Sequence, residues 1–147
     1  MVGLPNQTNE NIVDDLRYIK ELEPAMCGIG PFIPHKDTPL RECKAGTTEK
    51  TVILLAITRL LLPKVLLPAT TALASIDSNG RNEGLRAGAN VIMPNLSPMS
   101  VREKYSLYNN KAFILDEDAE YRQSIEQKLN EAGFILEEGR GDNPDWR

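Results

Sequence analysis

At 147 residues and 16.4 kDa, with 41% hydrophobic and 26% charged side chains and a mean hydropathy of −0.34, the chain has the makeup of one soluble globular domain. Seventeen basic against 21 acidic residues give a formal charge of −4; no surplus of Lys and Arg exists to neutralise phosphates, so nucleic acid is not an expected partner. The length also excludes a complete eight-stranded β/α barrel, which needs roughly 200 residues or more.

Residues 1–6 have neither the basic flank nor the apolar core of a signal peptide, and Gly3-Leu4-Pro5 would interrupt one, so a cytoplasmic location is expected. Residues 1–3 make at most a strand stub. Over 8–22, Ile12, Leu16, Ile19 and Leu22 recur at spacings of four and three, with Asp14, Asp15, Arg17, Lys20 and Glu21 between them, the pattern of an amphipathic helix. Thr8 is its expected N-cap and Pro24 stops it. Residues 26–30 are short, apolar and glycine-containing, as in a buried strand, and 31–46 form a loop with three prolines. Cys27 and Cys43, the two cysteines, match neither a zinc site nor a C-x-x-C pair, so a disulfide scaffold is not expected.

A second helix runs over 48–62. Its apolar run, 52–62, is interrupted by Thr58 and Arg59 and stopped by Pro63, well short of the roughly 20 apolar residues that span a bilayer, so it reads as a buried helix and no membrane partner is expected. Part of 65–73 is a strand, 75–80 a polar loop and 81–87 a short helix. Gly88 is the expected helix-terminating residue before the third strand, Ala89-Asn90-Val91-Ile92-Met93. A loop at 94–98, a helix at 100–107 and a longer helix at 116–132 follow, the last with Tyr121, Ile125, Leu129 and Ala132 on one face and Gly133 at its end. The tail after 139 is expected to be irregular.

Strands alternating with helices predict right-handed βαβ units and a parallel sheet buried on both faces. An open flavodoxin-like sheet and half of an eight-stranded barrel both satisfy that order. In either closure ligands sit beyond the carboxyl ends of the strands, at the loops near Gly3, Pro31, Ser75 and Pro94. None of these is a phosphate cradle, since G-x-G-x-x-G and G-x-x-x-x-G-K are absent and Gly28-Ile29-Gly30 runs into Pro31, which has no N–H to offer. His35, the single histidine, has Asp37 as its nearest carboxylate, the minimum for a general base, although an exposed loop histidine is the plainer reading. Asp14-Asp15 and Glu117-Asp118 are adjacent on helices, where neighbours do not face each other, and read as solvated faces.

Three features stand out at loop level. Pro68-Ala69-Thr70-Thr71-Ala72 places consecutive hydroxyls in an otherwise apolar strand; successive strand side chains alternate faces, so both reach one ligand only at a strand end. Met93-Pro94-Asn95 ends a strand with a thioether and an amide. Tyr105 and Tyr108, three apart, share a helical face and either pack or point their hydroxyls into a pocket.

Taken in order, Met1-Val2-Gly3-Leu4-Pro5-x-Gln7-Thr8, Gly28-Ile29-Gly30-Pro31-Phe32-Ile33-Pro34-His35-x-Asp37-Thr38-Pro39-Leu40, Pro68-Ala69-Thr70-Thr71-Ala72, Gly88-Ala89-Asn90-Val91-Ile92-Met93-Pro94-Asn95 and Tyr105-x-x-Tyr108 resemble the HydE-type radical S-adenosylmethionine maturases of FeFe hydrogenase, within the biotin-synthase-like group. The resemblance implies an α/β fold whose parallel βα units form the carboxyl-terminal half of a (β/α) TIM-type barrel, plus a C-terminal helix. Residues 1–147 are then a single half-barrel fragment, 1–109 being βα units and 110–147 a helical extension and tail.

That family holds a 4Fe-4S cluster on C-x-x-x-C-x-x-C and coordinates S-adenosylmethionine to it, generating a 5'-deoxyadenosyl radical. The motif is absent here, so the resemblance implies that the cluster and most of the S-adenosylmethionine site belong to sequence upstream of Met1, and that the chain alone binds neither and is inactive. Where some relatives carry an accessory cluster this sequence has Phe113, Tyr121 and Ser124, which implies that no such cluster forms. Val2, Gly3 and Met26 are then expected near S-adenosylmethionine, and Thr70, Thr71, Met93, Tyr105 and Tyr108 at a cavity for a small organometallic or thiol-bearing substrate. Implied partners are the missing amino-terminal half of the barrel and other hydrogenase maturation proteins. The alternatives are another biotin-synthase-like radical enzyme, such as methylornithine synthase, and a stand-alone, non-catalytic α/β binding module.

Overall fold

The structure, a computed structural model, describes residues 1–93, 98, 101, 121–137 and 139–143. Helix α1, Asn9–Leu22, begins as its cap residues dictate. Asn11 N donates to Thr8 Oγ1 at 3.3 Å and Thr8 N donates to Asn11 Oδ1 at 3.0 Å, so two amides with no intrahelical partner are satisfied reciprocally. Ile12 is buried, Leu16 and Ile19 pack against the core, and Leu22 lies outside it. Helix α2, Thr48–Leu61, is capped by Thr47 Oγ1, which accepts from Lys50 N, and buries Thr51, Leu54, Leu55 and Thr58.

Four extended segments pair in chain order, all in parallel, through bridges Val2 with Pro31, Met26 with Leu66, and Pro68 with Val91. The ladder is short for a chemical reason. Leu66 N donates to Ala25 O and Cys27 N to Leu66 O, so the next bond would need an N–H from residue 68, and Pro68 has none. Pairing resumes on the other edge of the same segment, where Val91 N donates to Leu67 O and Ala69 N to Val91 O. Asn90 reinforces this edge by accepting from Leu67 N through its side-chain oxygen at 2.8 Å.

Between 65 and 93 the structure departs from the expected elements. The extended run ends at Thr70, and helix α3, Thr71–Ile76, occupies positions expected to be strand and loop. Leu73 explains the change: at 0% exposure it is locked into the core, and its carbonyl and side chain lie where any side chain on Gly80 would have to go. Helix α4, Gly80–Arg86, follows directly, and Gly88 with φ +113 turns the chain into the last described extended segment. Of the expected 116–132 helix, α5 spans Tyr121–Glu131, and Gly133 follows with φ +85. The expected 100–107 helix lies almost wholly outside the described residues.

Among the described residues one face of the sheet is buried throughout and the other only in part. Val2, Cys27, Ile29, Val65 and Leu67 point into a core completed by Ile12, Leu54, Leu55 and Leu73 from the helices. Their strand neighbours at alternate positions point the other way. On that second face Met26, Gly28 and Met93 are exposed, Gly30, Leu66 and Thr70 are half-buried, and Pro68 is buried. A second cluster, Ala69, Leu85, Ala89 and Leu129, seats α5. The tail is less free than its composition suggested, because Asn143 is 8% exposed and its Nδ2 donates to Ala25 O at 2.8 Å. Among the described residues no helix is long and apolar enough to cross a membrane.

Candidate functional site

The candidate site is the carboxyl edge of the sheet and the second face below it. Gly3 ends the first segment with φ +85, and its amide donates to Gln7 Oε1 at 2.7 Å, while Gln7 Nε2 donates back to Met1 O at 3.0 Å. That reciprocal pair fixes the turn that Gly3 makes possible. The 32–46 loop returns to the same edge, where Gly46 N donates to Phe32 O at 2.8 Å and the Gly46 Cα sits against Val2 O with no room for a side chain.

Beside this turn the Thr70 side chain of the third segment lies over the Gly30 backbone of the second. The offset of 40 that pairs Met26 with Leu66 also sets residue 30 beside residue 70, and a Cβ built on Gly30 would lie 2.7 Å from Thr70 Oγ1. Thr70 Oγ1 is buried and has no hydrogen-bond partner. A buried hydroxyl ordinarily finds one, so this group has a donor and two lone pairs available to a guest. Thr71 does not alternate with it along a strand; it begins α3, and its carbonyl accepts from Ser75 Oγ at 2.8 Å.

Of the other expected site residues, Met26 stands on the same face as Gly28 and Gly30 but toward the amino end of the segment, and is 45% exposed. Met93 is 54% exposed on that face. The Val2 side chain instead enters the core, leaving only its backbone at the edge. Tyr105, Tyr108, Pro94, Asn95 and Phe113 lie outside the described residues.

His35 is held within its own loop: its Nδ1 accepts from Asp37 N at 3.2 Å and lies 3.8 Å from Asp37 Oδ2, while Thr38 Oγ1 donates to the His35 carbonyl. With Nδ1 committed as an acceptor, the residue reads as a turn former. Cys27 faces the core, where burial pushes its thiol pKa up and keeps it protonated. Among the described residues no three His, Cys, Asp or Glu side chains converge on a point where a metal ion would sit.

No family model matches the chain. Over 118 residues, 80% of its length, it is 51% identical to the [FeFe] hydrogenase maturase subunit HydE of Thermotoga maritima. The chain is HydE-like. It is also 33% and 30% identical, over 134 residues in each case, to the 3-methylornithine synthases of Methanosarcina acetivorans and Methanosarcina barkeri. These matches cover 34% of the maturase and 37% of each synthase, so the HydE-like chain spans about a third of the length of the curated relatives it matches.

The Thr70 hydroxyl is legible in the sequence of this HydE-like chain, whereas its neighbour Gly30 is not. Gly28 and Gly30 are two apart, so on a strand both open the same face, and that spacing was the available signal that something large approaches there. The register that makes Thr70 the neighbour has no local signature.

Proposed function

We propose that this HydE-like chain forms the substrate wall of a radical S-adenosylmethionine enzyme of the hydrogenase-maturase type, as the carboxyl-terminal half of a (β/α) barrel, with 1–109 as βα units and 110–147 as an extension. The observation that carries the reading is the buried, unpartnered Thr70 hydroxyl against Gly30. It sits on a sheet face that this chain leaves half open, the face that turns inward when a barrel closes.

Bound with its cluster, S-adenosylmethionine supplies a primary carbon radical, which attacks almost any C–H bond within reach. A wall around such chemistry must exclude water, hold its guest in one orientation and offer few abstractable or reactive groups of its own. Gly28 and Gly30 leave the space, Pro68 and Leu66 supply apolar surface, and Thr70 supplies a directional donor. Thr71, Met93, Tyr105 and Tyr108 complete the substrate side of the proposal, and Val2, Gly3 and Met26 its cofactor side. The guest is a small organometallic or thiol-bearing molecule, and the cellular setting is the cytoplasm, with the other maturation proteins and the barrel's amino-terminal half as partners.

The cluster itself does not fit on this chain. A 4Fe-4S centre of this kind takes three thiolates, and the sequence has two cysteines, one of them facing the core. Its ligands therefore belong to the rest of the protein.

The test uses the full-length parent protein. Thr70→Val and Thr71→Val keep the β-branched shape while deleting a hydroxyl, and Tyr105→Phe and Tyr108→Phe do the same for the tyrosines. Hydrogenase maturation is expected to fall while reductive cleavage of S-adenosylmethionine continues. Maturation at the parent rate in all four variants would refute the substrate wall, and loss of cofactor cleavage would move these residues to the S-adenosylmethionine site. Formation of methylornithine in place of maturation would favour the synthase reading that the weaker similarities support.

A further inference from the structure

A cavity of about 540 Å³ lies between α4 and α5. It opens on the helical side of the sheet, because Ile92, which lines it, alternates with Met93 of the second face. It is thus distinct from the site proposed above, and its size falls in the range of roughly 300–1,000 Å³ usual for small-molecule sites.

Its floor is apolar, built by Ile92, Ile125 and Leu129, whereas Arg81, Arg86 and Lys128 bring three cations to its walls. None of the three forms an ion pair with a described residue. Glu131 is the one acid among the described lining residues, and its Oε1 already accepts from Gln127 Nε2 at 2.9 Å. Arg81 carries the decisive detail: its Nε is buried with no hydrogen-bond partner. A guanidinium N–H withdrawn from water and left without an acceptor is costly, and native proteins normally answer such a donor with a carboxylate, a phosphate or a bound anion. In a chain of net charge −4, three cations without an ion pair among the described residues thus gather around one cavity.

The geometry points to an oxyanion-binding site between α4 and α5 that takes a small molecule with a phosphate or carboxylate head and an apolar body. The head lies on Arg81, Arg86 and Lys128, and the body lies against Ile92, Ile125 and Leu129. Tetrahedral phosphate and planar carboxylate each present a two-oxygen edge that a guanidinium fork grips.

The experiment titrates the full chain with phenyl phosphate, benzoate and the neutral benzyl alcohol by calorimetry, with heteronuclear NMR shifts to locate the contact. At least one charged probe is expected to bind about tenfold or more tightly than benzyl alcohol, the better of the two identifying the head group. Arg81→Gln is expected to weaken that binding about tenfold, Arg86→Gln and Lys128→Gln each several-fold, and Arg41→Gln, at an exposed position of the 32–46 loop, not at all. Arg86 and Lys128 are exposed, so those variants keep the fold and carry the test should Arg81→Gln melt early. The site is refuted if neither charged probe binds, if benzyl alcohol binds as well as they do, or if the Arg86 and Lys128 variants bind like the parent.

Discussion

A side chain on Gly30 would begin 2.7 Å from the Thr70 hydroxyl oxygen, across the junction of the second and third extended segments. The two residues are therefore coupled: the absence of a Cβ at one position is what admits the branched side chain at the other. Gly30→Ala is expected to cost about 1–3 kcal/mol by overpacking, because Thr70 is buried at its hydroxyl and has little room to rotate. Adding Thr70→Ala should return most of that loss. A double-mutant cycle from urea melts checks it, and additive effects would show that the contact does not matter energetically.

Thr51 and Thr58 sit two turns apart on the buried face of α2, at 0% and 1% exposure, and make opposite use of the same hydroxyl. Thr51 Oγ1 donates to Thr47 O at 2.8 Å, whereas Thr58 Oγ1 has no partner. Thr51→Val is expected to lose about 1 kcal/mol, and Thr58→Val to be neutral or to gain up to about 1 kcal/mol, since it replaces an unsatisfied polar atom by a methyl group of similar shape. Thermal denaturation of the two variants side by side decides the matter.

Cys27 and Cys43 differ in exposure and should differ in chemistry. Cys27 is 8% exposed with its pKa raised above the ordinary 9.0, chiefly by desolvation. The folded chain therefore holds this proton more tightly than the unfolded chain does. The stability it contributes is full below the unfolded pKa and is lost as pH rises through the folded one, so the melt should fall in alkali and Cys27→Ala should flatten that fall. Near pH 8, alkylation followed by mass spectrometry should label Cys43 well before Cys27.

Asn143 reaches back to the amino ends of two extended segments, its Nδ2 donating to Ala25 O at 2.8 Å and Lys64 O at 3.4 Å. Asn143→Ala would remove both bonds, with Ala25 O keeping its bond from Leu66 N, and is expected to cost about 1 kcal/mol. Its neighbour Asp142 forms a 3.1 Å pair with Arg140, with side chains 55% and 88% exposed, and Asp142→Ala should change stability by less than about 1 kcal/mol. Chemical denaturation distinguishes a tail that anchors from one that merely follows.

What the sequence by itself determined is local or repetitive. Thr8 with Asn11 and Thr47 with Lys50 start their helices through partners three residues away, and Pro24 and Gly88 act on their immediate neighbours, so each signal is complete within one turn. The alternation of strand and helix patterns likewise announced parallel pairing, though not its order across the sheet, and the order of the quoted motifs carried the HydE resemblance. Only the tertiary structure decided that 71–76 is helical, that the sheet buries one face throughout and the other only in part, that Asn143 staples residues more than 70 positions away, and that Thr70 is left without a partner beside Gly30. Each of these depends on which distant segment arrives alongside. The energy that selects it, burial of Leu73 in one case and a lost ladder bond at Pro68 in another, exists only after the segments have met.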